Sequence, residues 1–464
     1  MSLMTDDRAD ARACELHTAL DAAHEAAVRY LDDVETRAPM PTDAAIAGLD
    51  GFREPLPDGP TAAAEVVRQL DALGSPATVA TTGGRFFGFV VGGALPVTVA
   101  ANWLATAWDQ NAGTWVLSPV AAELEEVAAG WLLDIFDLPR DAAVGFVTGS
   151  TMGTFSAIAA ARSALLRRAG HDVKRHGLGG APRIRIVASA DVHPTNLAAL
   201  GYAGFGLDDV ETCAVDDQGR IVADAMPSLD ARTLVLLQAG NINSGASDPF
   251  VAICAKARAA GAWVHVDGAF GLWARASRRL RSLVNGVELA DSWSVDGHKW
   301  LNLPQDSAVY ICRDKGAVHD VFGVNATYLV RDPRRQPNTF TPELSRRARA
   351  VEFWAALKAL GRSGVEALLD RSCAHATRFA AGLTEAGYEV LNDVVLNQVV
   401  FACEDEARTR AALANIQASG VCWLGPTHWR GRLAMRISVS SWATTAADVE
   451  LSLAAMARAR GGVA

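Results

Sequence analysis

Trp263-Val264-His265-Val266-Asp267-Gly268 and, further on, Ser292-Trp293-Ser294-Val295-Asp296-Gly297-His298-Lys299-Trp300 decide how this chain folds. Each begins as a short apolar run and stops at a carboxylate followed by glycine, as a strand buried on both faces does. Similar runs cover residues 144–148, 184–189, 233–239 and 308–312, with helical or loop segments between them. That alternation predicts parallel strands joined by crossovers, hence an α/β, doubly wound domain covered on both faces.

Outward from this centre, Leu16, Leu20, Ala23, Ala27 and Leu31 predict a helix over 8–38 that ends at Pro39 and Pro41. Helical periodicity returns over 96–136, interrupted at Ser118-Pro119. Pro333, Pro337 and Pro342 mark a break. Beyond it a bridging helix over 343–360, further helices over 365–386, 405–419 and 447–460, and strands over 397–402 and 433–439 predict a smaller α+β part. The expected organisation is an N-terminal arm with helices (1–90), a large α/β domain (91–342), and a bridging helix with a small C-terminal domain (343–464).

The chain has 464 residues, 50% of them hydrophobic, which is enough for a sizeable core. Its net charge of -9 is dispersed, and no basic stripe exists for nucleic acid or an anionic membrane. No run of about twenty apolar residues predicts a membrane span. The polar, acidic Met1-Ser2-Leu3-Met4-Thr5-Asp6-Asp7 gives no expectation of export. Seven scattered cysteines without a C-x-x-C pair fit free thiols in a reducing, cytoplasmic setting, and no metal site is expected.

Only five of the 43 basic residues are lysine: Lys174, Lys256, Lys299, Lys315 and Lys358. Four lie in loops or on helix faces where a solvated charge is the ordinary explanation. Lys299 instead ends an apolar strand and precedes Trp300 and Leu301. A residue that must deprotonate and attack a carbonyl cannot be arginine, whose guanidinium keeps its proton.

Three other segments bear on the same chemistry. Gly149-Ser150-Thr151, between a strand and a helix expected over 154–168, combines close backbone approach, two hydroxyls and a helix N-terminus, the requirements of a phosphate cradle. Alone, it is also the pattern of an ordinary helix cap. Asp267 ends its strand at the rim where open α/β sheets bind ligands, and a carboxylate there can keep a heteroaromatic nitrogen protonated. Parallel neighbouring strands bring Asp267 and Lys299 to that rim together. His193, after another strand end, is placed to lie on a ring, whereas His265 sits deeper and reads as a core or supporting histidine.

With Arg85-Phe86-Phe87-Gly88-Phe89, Ser118-Pro119, Glu123-Leu124-Glu125, Thr148-Gly149-Ser150-Thr151, His265-Val266-Asp267, His298-Lys299-Trp300 and Ser345-Arg346-Arg347, the chain resembles the group II pyridoxal-phosphate-dependent decarboxylases over nearly its whole length. The resemblance implies the fold-type-I transferase fold, with a mostly parallel seven-stranded sheet and a small α+β C-terminal domain. It also implies a homodimer with active sites at the interface, to which Asp109, Gln110, Asn111 or Trp115 would contribute. Pyridoxal 5'-phosphate (PLP) would be held by Lys299 as a Schiff base, by Asp267 at the ring nitrogen, by His193 on the ring, and by Gly149, Ser150, Thr151 and His298. Tyr328, in Asn325-Ala326-Thr327-Tyr328-Leu329, matches a loop tyrosine that returns a proton to the substrate α-carbon, and Arg436 matches an arginine that pairs with the α-carboxylate.

Phe89-Val90-Val91-Gly92 replaces a bulkier run of the aromatic branch, which makes Phe89 a substrate-pocket candidate. Asp296-Gly297 stands where many members have Asn-Pro, and Gly240-Asn241-Ile242-Asn243-Ser244 stands where many place threonines. The implied reaction is decarboxylation of an aromatic or related L-amino acid. Aldehyde synthesis, carbon-carbon lysis and transamination are the alternatives on the same fold, and a catalytically silent PLP-binding protein is a further one.

Overall fold

The computed structural model describes residues 3–324 and 333–462, with side chains from residue 14 onward. Among these, β1 (Ala143–Val147), β2 (Arg185–Ser189), β3 (Val210–Cys213), β4 (Thr233–Gln238), β5 (Trp263–Asp267), β6 (Ser292–Asp296) and β7 (Ala308–Cys312) form one sheet. Its order is β1-β7-β6-β5-β4-β2-β3. The β2–β3, β2–β4, β4–β5 and β5–β6 pairs are parallel, and β7 runs antiparallel to both neighbours. The mostly parallel sheet is therefore as expected.

Both faces are covered. The Ser150–Arg168, Pro194–Tyr202 and Lys315–Phe322 helices close one side, and Pro119–Phe136, Phe250–Ala260 and Ala350–Glu385 close the other. Trp263, Trp293 and Trp300 are fully buried there, each worth roughly 1.5–3 kcal/mol or more of transfer free energy on the scale of large apolar side chains.

Four further strands, β8 (Glu389–Val390), β9 (Gln398–Ala402), β10 (Gly425–Trp429) and β11 (Arg432–Ser438), make an antiparallel sheet in the order β10-β11-β9-β8. The Glu406–Ala418 and Ala446–Arg460 helices pack on it.

Several helix boundaries differ from expectation, the first helix running over Leu3–Asp33 where 8–38 was expected. The bridging helix starts at Ala350, not 343, and runs to Glu385, broken at Gly361 (φ 59°, ψ -178°). Residues 345–349 do not coil because their hydrogen bonds go elsewhere. Ala112 N–H donates to the Arg346 carbonyl (2.9 Å), and the Arg346 guanidinium donates to the carbonyls of Ala112 (3.0 Å) and Phe146 (2.8 Å). Arg346 also pairs with Glu125, both side chains 1% exposed, and Arg335 meets the same carboxylate at 2.9 Å. Two of the sequence motifs thus form one buried ion cluster that fixes the Pro119–Phe136 helix against β1. No helix among the described residues is long and apolar enough to cross a membrane.

Candidate active site

The C-terminal ends of β1, β2, β4, β5 and β6 open on a cavity of about 210 Å³. Gly149, Ser150, Thr151, His193, Asp267, His298 and Lys299 all line it.

Asp267 is the last residue of β5 and is 8% exposed. It accepts hydrogen bonds from Asn196 Nδ2 (2.6 Å) and the Ala269 N–H (3.0 Å). Asn196 was not anticipated. His193 caps the Pro194–Tyr202 helix, where Pro194 occupies the first turn and needs no N–H. One turn later the same helix presents Asn196 to Asp267, so a single helix start positions both residues. The only sequence signal was an Asn three residues past His193.

β6 carries the chain into Gly297-His298-Lys299. Trp300, fully buried, anchors the turn, and Gly297 N–H donates to the Ser307 carbonyl at 2.8 Å. Gly92 crosses so closely that a Cβ there would stand 1.8 Å from the Lys299 carbonyl oxygen. Lys299 Nζ lies 2.8 Å from Asp296 Oδ2, not against Asp267. Asp296 is 1% exposed. Burial works to raise its carboxyl, but Lys299, His298 and the hydrogen bonds from Lys299 and Ser150 outweigh that and leave it below the ordinary carboxylate value.

The Ser150–Arg168 helix begins four residues earlier than expected, so the predicted turn is its first turn. Gly149 is the cap residue and supplies no side chain. Ser150 does not act as the cap. Its N–H donates to Asp296 Oδ1 (2.6 Å) and its hydroxyl to Oδ2 (2.9 Å).

Burial pushes His193 below its ordinary value, against the opposing pull of Asp267, and its Nδ1 sits 2.7 Å from Thr195 Oγ1. His298 is likewise lowered by burial, with Asp296 opposing, and its Nδ1 accepts the Ser307 N–H at 3.1 Å. His265 is fully buried between Ser292 (3.0 Å) and Thr154 (3.4 Å), a core histidine whose burial lowers it to about 4.

Arg436, on β11, donates to the Ile242 carbonyl at 3.2 Å and makes no ion pair among the described residues; burial lowers it to about 10. It is close enough to act electrostatically on His193. Phe89 is not brought to the cavity within one chain. It is 66% exposed, stacks on Trp423 at 5.6 Å, and has a positive φ of 55°. Tyr328 lies outside the described residues.

A lysine and a carboxylate on one small cavity, beside a helix N-terminus, fit a phosphorylated pyridine aldehyde. The cavity has room for one ring and its substituents and not for a dinucleotide. The fold and this donor set define a PLP-dependent enzyme of the α/β kind.

The comparisons carry this further. The pyridoxal-dependent decarboxylase conserved domain matches residues 57–404. The L-2,4-diaminobutyrate decarboxylase of Rhizobium meliloti is 30% identical over 376 residues, 74% of this chain and 72% of that protein. An acidic amino acid decarboxylase of Xenopus tropicalis is 27% identical over 332 residues, 68% of this chain and 63% of that protein. In fold, the chain is similar to Oryza sativa TDC solved with PLP and tryptamine: TM-score 0.89 and 21% identity, covering 97% of this chain and 98% of that one. The chain belongs to the pyridoxal-dependent decarboxylase family, which makes it a PLP-dependent carboxy-lyase acting on an amino acid.

Proposed function

We propose that the chain converts an L-amino acid to its amine and carbon dioxide, with the roles divided as follows. Lys299 holds the PLP aldehyde carbon covalently, and the first turn after Gly149 binds the phosphate through the N–H groups and hydroxyls of Ser150 and Thr151, beside His298. When bound, the cofactor supplies an electron sink for the pair left at the α-carbon. Asp267, supported by Asn196, keeps a proton on the ring nitrogen. His193, shifted by burial toward its neutral form, packs on the ring. Arg436 binds the substrate α-carboxylate, and Tyr328 returns a proton to the α-carbon.

The observation that carries this reading is the meeting of Lys299 and Asp267 on one cavity, with a guanidinium nearby that has no carboxylate partner among the described residues. Lys299→Ala should lose both amine formation and the visible absorbance of bound PLP; unchanged amine yield would overturn it. A panel of aromatic, acidic and diamino L-amino acids, scored by carbon dioxide release, assigns the substrate. Aldehyde, keto acid or hydrogen peroxide in stoichiometric amounts would instead assign one of the other PLP reactions.

The same proposal includes a cytoplasmic homodimer. Trp103, Leu104 and Trp108 on the Pro96–Trp108 helix, with Val116, Leu117 and Val120, are 40–54% exposed, an apolar surface that a second copy would cover. The seven cysteines are all free, and six are buried. Light scattering on the purified protein tests the dimer.

A further inference from the structure

Asp296 serves two groups at once: Lys299 on one side and the first turn of the Ser150–Arg168 helix on the other. The donors that it engages, the Ser150 N–H and hydroxyl, belong to the turn assigned above to the phosphate, and the present inference rests on that assignment. A phosphate brings close to two negative charges to the same donors. Like charges that share one site push one group toward its protonated form. Among the described residues, no further cation near Asp296 replaces the lost compensation. From its own turn it faces Lys299, whose amine is committed to the cofactor, and His298, whose Nε2 lies 3.6 Å from Oδ1; across the cavity it faces His193; from the helix comes the uncharged Ser150. Both histidines are shifted toward neutrality by burial. An asparagine here would offer a phosphate an N–H donor at any pH. A carboxyl offers a donor only once protonated.

We propose that Asp296 takes up a proton from solvent when the phosphate of PLP enters the turn. The Ser150 donors pass to the phosphate, and the new carboxyl O–H donates to a phosphate oxygen. Cofactor affinity is thereby coupled to pH through one residue beside the Schiff-base lysine.

The test is calorimetric titration of the full chain, stripped of cofactor, with PLP in buffers of different ionisation enthalpy, which counts protons. Wild type should take up about one proton more than Asp296→Asn, and the ratio of their PLP dissociation constants should widen by up to tenfold per pH unit on the alkaline side. Pyridoxal, which lacks the phosphate, should bring no such uptake in wild type, a comparison that stands even where the variant fails to fold. Equal proton counts in the two proteins, or equal uptake with pyridoxal and PLP, overturn the proposal while leaving the phosphate turn intact. Failure of either protein to bind PLP more tightly than pyridoxal overturns the turn assignment as well.

Discussion

Asn196→Ala separates what holds the fold from what tunes the site. The side chain is 1% exposed and donates through Nδ2 to Asp267 at 2.6 Å, leaving only the Ala269 N–H at 3.0 Å when it is removed. A hydrogen bond to a charged acceptor is worth about 1.5–3 kcal/mol. Against that, Asn196 Oδ1 is buried with no hydrogen-bond partner among the described residues, a cost of roughly 1–3 kcal/mol that alanine abolishes. The two terms nearly cancel in stability. They do not cancel in catalysis, because only the donated bond acts on the carboxylate assigned to the ring proton. Carried into the barrier, its loss lowers kcat by about 10- to 150-fold, while urea unfolding should move by about 1 kcal/mol or less. Steady-state amine release and a denaturation midpoint give both numbers. A folded Asn196→Ala variant with kcat within about twofold of wild type would refute the reasoning, since Asp267 would then need no neutral donor.

Arg436→Ala removes the guanidinium assigned to the α-carboxylate, and kcat/KM should fall roughly 10- to 150-fold, with thermal stability unchanged because no acidic partner is stranded. Glu125→Ala does the reverse: Arg346 stays buried without its carboxylate while Arg335 keeps only Glu126 at 3.5 Å among the described residues, and stability should fall by about 3–5 kcal/mol in chemical denaturation. The pH profile of stability rests on opposed titrations. Burial lowers His265 to about 4, so its term grows as pH rises from about 4 to its unfolded value near 6.5. Burial raises Asp248 to about 7 against the donors Ile221 and Gln238, so its term shrinks as pH rises between its unfolded value near 4 and 7. His265→Asn should leave a stability that falls with rising pH over that window, and Asp248→Asn one that rises; parallel profiles would exclude both assignments.

Most of the large sheet was legible because its strands are buried on both faces and read as unbroken apolar runs; β1, β4, β5, β6 and β7 are buried at every position. The three strands that the sequence did not reveal are all at sheet edges. β3 and β10 are largely half-exposed or exposed, β10 includes Pro426, and β8 is two residues long. Exposure rather than edge position removes the apolar pattern, since β1 is also at an edge but is buried throughout and reads as an apolar run. The premature start given to the bridging helix has a different origin: residues 345–349 have helical composition, and long-range bonds from Arg346 override it. At the site, Lys299 and Asp267 were legible from their strand ends, whereas Asn196 and the Asp296 contacts depend on how a helix start and a turn meet across the sheet.

That meeting gives the cavity its polarity. Two carboxylates end adjacent parallel strands, β5 and β6, and their surroundings differ in kind. Among the described residues Asp267 receives hydrogen bonds only from neutral groups, an amide and a backbone N–H, which would leave its charge for a cationic ring nitrogen to meet. Asp296 has an ammonium and a helix N-terminus, which make its end of the cavity the one that accepts an anion. A molecule with a basic ring nitrogen and a phosphate would therefore be oriented before any bond to it formed. Lysine, unlike arginine, suits the place between the two, because it can be held as a cation by Asp296 and then give up the proton that arginine would keep. In a chain that draws most of its positive charge from arginine, the proposed role gives a physical reason for Lys299.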